Sequence, residues 1–148
     1  MTRIAIDTSL LVYAQLNTDD PKGERAQTLI GRATFDGVMT MQVLGEFLRV
    51  VQRSRPDRLA GAIAQVETYA DLFATPQTTL EVVTAAAAIA RDHKLELWNA
   101  VIVSASARAG AEVLLTEDLQ DGRVVGGLRV INPFRVENAA AVEALFSI

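Results

Sequence analysis

Apolar residues are distributed along this chain in two patterns. Short, dense, largely β-branched runs occur at residues 3–7 (RIAID), 38–41 (VMTM), 112–116 (EVLLT) and 128–132 (LRVIN). Runs of this kind, bounded by turn residues, predict buried strands. Longer stretches instead repeat apolar positions at helical spacing. Residues 22–33 place Ala26, Leu29, Ile30 and Ala33 on one face, and residues 42–53 do the same with Val43, Phe47, Val50 and Val51. The segments 57–73, 79–93 and 97–108 predict three more helices, and LLVYAQL (10–16) predicts one directly after the first strand, capped by Thr8 or Ser9. Breaks fall at residues 17–22, where Pro21 suits a helix start, at Pro56, at Thr75 and Pro76, at Gly110 and at Pro133. A small extra strand is expected at Val124–Val125 and a short tail helix at about 137–147 within the tail 136–148.

Strands separated by helical crossovers favour a parallel sheet with helices on both faces. The expected fold is α/β, a three-layer α/β/α sandwich around a mostly parallel sheet of four to five strands. No repeat and no linker-like segment divides the chain, so residues 1–148 are read as a single domain. Ligands of such sheets bind beyond the carboxyl ends of the strands. Asp7 stands at the end of the first predicted strand, and Asp118 and Asp121 stand just past the third. Glu46 sits near the start of the helix that follows the second. If the strands are neighbours, these acids converge on one crevice, where clustered carboxylates need a cation. Oxygen-only donors select a hard ion, Mg²⁺ or Mn²⁺. Each acid also has a plainer reading: Asp7 as a helix cap, Glu46 as a solvated acid in a first helical turn, Asp118 and Asp121 as turn formers.

Composition narrows the function. The chain has no cysteine, which rules out disulfides and thiolate metal sites and fits a reducing compartment. No apolar run approaches the ~20 residues of a membrane span, and the N-terminus enters a strand-like pattern without a signal-like segment, so a cytoplasmic protein is expected. The net charge of -4 means that any nucleic-acid partner must be held by bound cations, a local basic patch or a second subunit. Arg49, Arg53, Arg55 and Arg58 supply one basic run, readable as a solvated helix end or as a contact for an RNA backbone or a partner protein. The glycines match no nucleotide-binding fingerprint, and Ser9 stands where a haloacid-dehalogenase-like phosphatase needs Asp.

Four segments, IDTSLLVY (6–13), QVLGEFLRV (42–50), LELWNAVIVSASARAGAEVLLTEDLQDG (95–122) and LRVINPF (128–134), together resemble the PIN-domain family. The resemblance is strongest to the toxins of VapBC-type toxin–antitoxin pairs, and residues 54–94 correspond to that family's variable helical insert. It implies a Mg²⁺- or Mn²⁺-dependent endoribonuclease, a homodimer and neutralisation by a small antitoxin. It carries the catalytic acids onto Asp7, Glu46, Asp118 and Asp121, a ligand-orienting hydroxyl onto Thr116 and a polar position onto Ser9. The family usually has Asp after the Trp of LELWNAVI, whereas this chain has Asn99. Metal ligation therefore falls to Asp7, Asn99 and Asp118. Asn keeps one carbonyl oxygen but loses a charge and a proton acceptor, so weaker metal binding and slower hydrolysis are expected. The alternative is a domain that has lost cleavage and retains RNA or antitoxin binding. Glu96 reads as a solvated first-turn acid or as compensation for Asn99, His93 as an exposed helix-end residue, and Trp98 as core rather than a base-stacking platform.

Overall fold

Three of the four predicted strands enter one sheet as strands, and the remaining one contributes a single residue. The computed structural model describes residues 2–147. In chain order the elements are β1 (Ile4–Ile6), α1 (Thr8–Leu16), α2 (Pro21–Ala33), α3 (Met41–Ser54), α4 (Leu59–Leu72), α5 (Leu80–His93), α6 (Leu97–Arg108), β2 (Val113–Leu115), β3 (Val124–Val125), β4 (Leu128–Ile131) and α7 (Ala139–Leu145). Short 3₁₀ turns at Pro56–Arg58 and Val136–Asn138 lead into α4 and α7. The sheet order is β1-β2-β4-β3, with β1, β2 and β4 parallel and β3 antiparallel to β4. Gly126 and Gly127, at φ 57° and 85°, make the two-residue turn between β3 and β4. That conformation needs left-handed backbone at both central positions.

Successive side chains of a strand point to opposite faces. Every residue of β1 and of β2 is buried, so both faces of the central sheet are covered. This is the expected α/β/α sandwich. One large apolar cluster runs from β1 through α1, α3 and β2 to Val142 and Leu145 of α7. A smaller one, Val82, Ala86, Ala100, Val101 and Ala105, joins α5 to α6 through small side chains that permit close helix approach.

The run 38–41 departs from expectation. Only Val38 bridges the sheet, to Ala5 on one side and to Ala74 on the other. The pairing stops there because Thr40 has turned to cap α3, its hydroxyl accepting from Val43 N–H at 3.1 Å. Helix competition for the same residues thus shortens the strand. At the other end of α1, buried Gly23 lets α2 start hard against the chain at Asn17. A Cβ there would lie 2.1 Å from the Asn17 carbonyl oxygen. This close approach brings Lys22 to the rim of the site described next.

Candidate active site

The parallel register of β1 and β2 pairs Ile6 with Leu115, so the residues that follow, Asp7 and Thr116, emerge side by side. Thr116 Oγ1 donates to Asp7 Oδ2 at 2.5 Å and accepts from the Asp118 N–H at 3.0 Å. One hydroxyl therefore ties the two strand-end acids together. Asp7 occupies the N-cap position of α1, yet its side chain makes no capping hydrogen bond. The plainer reading of this residue as a helix cap fails, and its carboxylate is left facing the other acids. Asp7 is only 4 % exposed. Burial pushes its pKa up to about 6; the Thr116 hydrogen bond opposes the shift, and the charges of Asp118 and Glu46 add to it.

Glu46 projects from α3 half-buried. Its pKa is raised by burial and by the charges of Glu96 and Asp118, against hydrogen bonding from Gln42 at 3.2 Å and the charge of Arg49. Asp118 is likewise raised, by burial and by Glu117. Among the described residues no Lys or Arg forms a salt bridge with Asp7, Glu46 or Asp118. The charges of Asp118 and Glu46 thus oppose ionisation of Asp7, and among the described residues the only relief from a cation is the unpaired Arg49 charge acting on Glu46.

Two clefts meet at this point. One, of about 540 Å³, is lined by Thr8, Glu46, Arg49, Arg53, Glu117 and Asp118, among others. The second, of about 580 Å³, is lined by Met41, Gln42, Glu46, Arg49, Glu96 and Trp98, among others. Glu46 and Arg49 line both, so the two clefts adjoin along the exposed stripe of α3. Thr8 lines the first cleft, and its hydroxyl is buried without a hydrogen-bond partner. An orphan hydroxyl beside repelling carboxylates suits a hydrated hard cation. Among the described residues, however, no three His, Cys, Asp or Glu side chains are drawn together as a closed metal cage. The donors present fit an open site, of the kind Mg²⁺ occupies with one or two carboxylates and retained waters.

The other expected site residues divide. Asn99 lies half-buried in the first turn of α6, its N–H bound by Glu96 Oε2 at 3.1 Å, and its side chain forms no hydrogen bond among the described residues. Glu96 is the N-cap of α6, also accepting from Trp98 N–H at 3.0 Å. It is thus a solvated acid, as expected, that stands at the N-cap rather than in the first turn. Asp121 is not drawn into the acid group by any contact. Its Oδ1 accepts from Asn132 N–H at 2.8 Å and from Asn138 Nδ2 at 2.9 Å, and Arg135 lies 4.0 Å away. These donors hold its pKa below the usual range. Ser9 accepts from the Glu117 N–H at 3.4 Å, steadying the turn that carries Asp118.

Glu117, unmarked in the sequence, joins the rim of the site. Its carboxylate accepts from Tyr13 and from Lys22, the latter at 2.8 Å. Lys22 lies over the rings of Tyr13 and Phe134, 5.2 and 5.5 Å from their centroids. Burial opposes ionisation of Glu117, but these hydrogen bonds outweigh it and its pKa is lowered. Trp98 reverses expectation: it is 48 % exposed on the groove, because the face of α6 that packs inward begins at Ala100. The basic run resolves into two parts. Arg55 pairs with Asp57 at 2.9 Å and Arg58 donates to the Gln15 carbonyl at 3.2 Å, whereas Arg49 and Arg53 line the groove.

Comparison with known proteins places this geometry in context. The family model described as PIN domain matches residues 4–124. No curated protein matches the sequence. Among solved structures, a toxin–antitoxin complex from Klebsiella pneumoniae superposes with a TM-score of 0.69 at 15% identity, over 90% of this chain and 99% of that one. VapC20 of Mycobacterium tuberculosis, described as a sarcin–ricin-loop-cleaving toxin, gives 0.66 at 19% identity, over 78% and 91%. VapBC2 from Rickettsia felis, solved bound to a DNA fragment from its promoter, gives 0.63 at 14% identity, over 88% and 98%. At these identities the likeness is one of fold.

Proposed function

The chain belongs to the PIN-domain family, and on that premise we propose that it is a Mg²⁺- or Mn²⁺-dependent endoribonuclease, the toxin of a toxin–antitoxin pair. The observation that carries this reading is the group Asp7, Glu46 and Asp118: the last two line one cleft, Asp7 is buried within reach of both their charges, and among the described residues none is in a salt bridge with a protein cation. The solved toxins and toxin–antitoxin complexes of the same fold support it. In this reading residues 1–148 form one PIN-like domain with 54–94 as its variable insert, acting in the cytoplasm as a homodimer that a small antitoxin neutralises. No helix among the described residues is long and apolar enough to cross a membrane.

Asp7, Asp118 and the Asn99 carbonyl would hold the cation, with the Thr8 hydroxyl beside them. When bound, the cation supplies charge stabilisation at the scissile phosphate and makes a water easier to ionise. Thr116 positions both strand-end acids through its paired hydrogen bonds. Glu46, with its pKa raised, is suited to take the proton of the attacking water. The water oxygen bonds to phosphorus and the bond to the 3′ oxygen breaks. That oxygen takes up a proton, leaving a 5′-phosphate and a 3′-hydroxyl. Asp121 supports this site at one remove, by tying the turn after β2 to Asn132 and Asn138.

Asn99 favours a second reading, in which the domain binds RNA or antitoxin and cleaves little. Incubation with single-stranded and structured RNA and either metal tests both readings. Metal-dependent cleavage by the chain as it stands supports the enzyme; cleavage only after Asn99→Asp supports the binding module.

A further inference from the structure

Resting on the reading of the site as an RNA-cleaving one, we propose that Trp98, Arg49 and Arg53 form a track for a single-stranded RNA segment. In this track Trp98 stacks an unpaired base and the two arginines hold the flanking phosphates.

Three observations converge on it. The cleft beside Asp118 and the cleft beside Trp98 adjoin, because Glu46 and Arg49 line both. Arg49 and Arg53 stand one helical turn apart on α3, so their guanidinium groups lie along one line. Neither forms a salt bridge among the described residues, whereas the neighbouring Arg55 and Arg58 are engaged elsewhere. They are the local positive charge that an acidic chain needs in order to hold a polyanion beside three carboxylates. Trp98 is nearly half exposed although it is the chain's sole tryptophan. Its backbone is anchored by the Glu96 cap while its ring is left to the groove.

A ring presented in this way accepts any base, since every base has a π face. It cannot reach a base inside an A-form duplex, whose bases stay stacked within the helix. The track therefore selects single-stranded loops or ends and places the strand so that the phosphodiester next to the stacked base runs toward Asp118. Sequence preference must come from elsewhere.

Because Trp98 is the sole tryptophan, its emission reports the stack directly. The experiment titrates a short mixed-sequence single-stranded RNA into the full chain in calcium buffer. The proposal expects saturable quenching of emission. It expects Trp98→Ala to weaken binding roughly tenfold, within the span measured for base–aromatic stacks, and Trp98→Phe to recover most of that loss. Arg49→Gln and Arg53→Gln should each lower the salt slope of log Kd by about 0.7. RNA binding that leaves Trp98 emission and the Trp98→Ala affinity unchanged overturns the track. So does emission that shifts with protein concentration alone, which would mean that a second copy covers Trp98. If Trp98→Ala still cleaves and binds RNA normally, only the track fails. If neither RNA binding nor metal-dependent cleavage occurs, even with Asn99→Asp, the reading of the site fails with it.

Discussion

The Thr116 hydroxyl donates to Asp7 Oδ2 at 2.5 Å across a sequence separation of 109 residues. It does so because β1 and β2 run parallel in a register that ends both strands together. A nearly buried acid thus has neutral partners only, the Thr116 hydroxyl and the Thr8 backbone, two acidic neighbours and a pKa of about 6.

The cost of ionising Asp7 should be measurable in the metal-free protein. Its pKa is raised from 3.8 to about 6 on folding, so between those values the folded state binds more protons than the unfolded one. Stability then falls as pH rises through that window, and the loss persists above it. Asp7→Asn removes the penalty. Without metal it should be more stable than the parent by up to about 3 kcal/mol near pH ~8, with no advantage near pH ~4, as read by denaturant unfolding. Added Mn²⁺ should stabilise the parent and not the variant. Equal stability of parent and variant across pH would contradict the account of Asp7.

Thr116→Val deletes both the donor to Asp7 and the acceptor for the Asp118 N–H. Losing the hydrogen bond to the part-buried Asp118 amide costs about 0.5–1.5 kcal/mol of stability. The hydrogen bond lowers the Asp7 pKa, so its loss should shift the pH profile of metal binding upward. Thr116→Ser should restore the parent profile. An unshifted profile in Thr116→Val would reduce Thr116 to a strand-end residue.

Asp121→Ala separates the structural from the metal-binding acids. It removes the acceptor for Asn132 and Asn138, and stability should drop by about 1–3 kcal/mol. Metal affinity by calorimetry should stay close to the parent, in contrast to Asp7→Asn. An equal loss of metal affinity in the two variants would return Asp121 to the ligand set.

Much of this architecture is legible in the sequence because its causes are local. Dense apolar runs locate β1, β2 and β4, the short run Val124–Val125 gives β3, and the spacing of Asp7 and Asp118 from strand ends places both at one rim. What the sequence hides depends on competition or on side-chain direction. Residues 38–41 look like a strand, but Thr40 is claimed as the cap of α3. Trp98 looks like core, but the first turn of α6 projects it outward. Asp121 and Asp118 look equivalent in TEDLQDG. Only the tail, folding back to place Asn138 and Arg135 beside Asp121, tells them apart. Glu117 carries no signal of its own, because Lys22 reaches it only through the close packing at Gly23.

The central claim is a metal-dependent nuclease site that lacks one acid, and cleavage of RNA by the purified chain and by Asn99→Asp tests it most directly. The account predicts that Mg²⁺ or Mn²⁺ supports cleavage by Asn99→Asp at roughly tenfold the parent rate or more, since added ligand charge tightens the site. EDTA or a further Asp7→Asn change should abolish that activity. No metal-dependent cleavage of single-stranded or structured RNA by either protein would contradict it, and cleavage by Asn99→Asp alone would leave the parent a binding module.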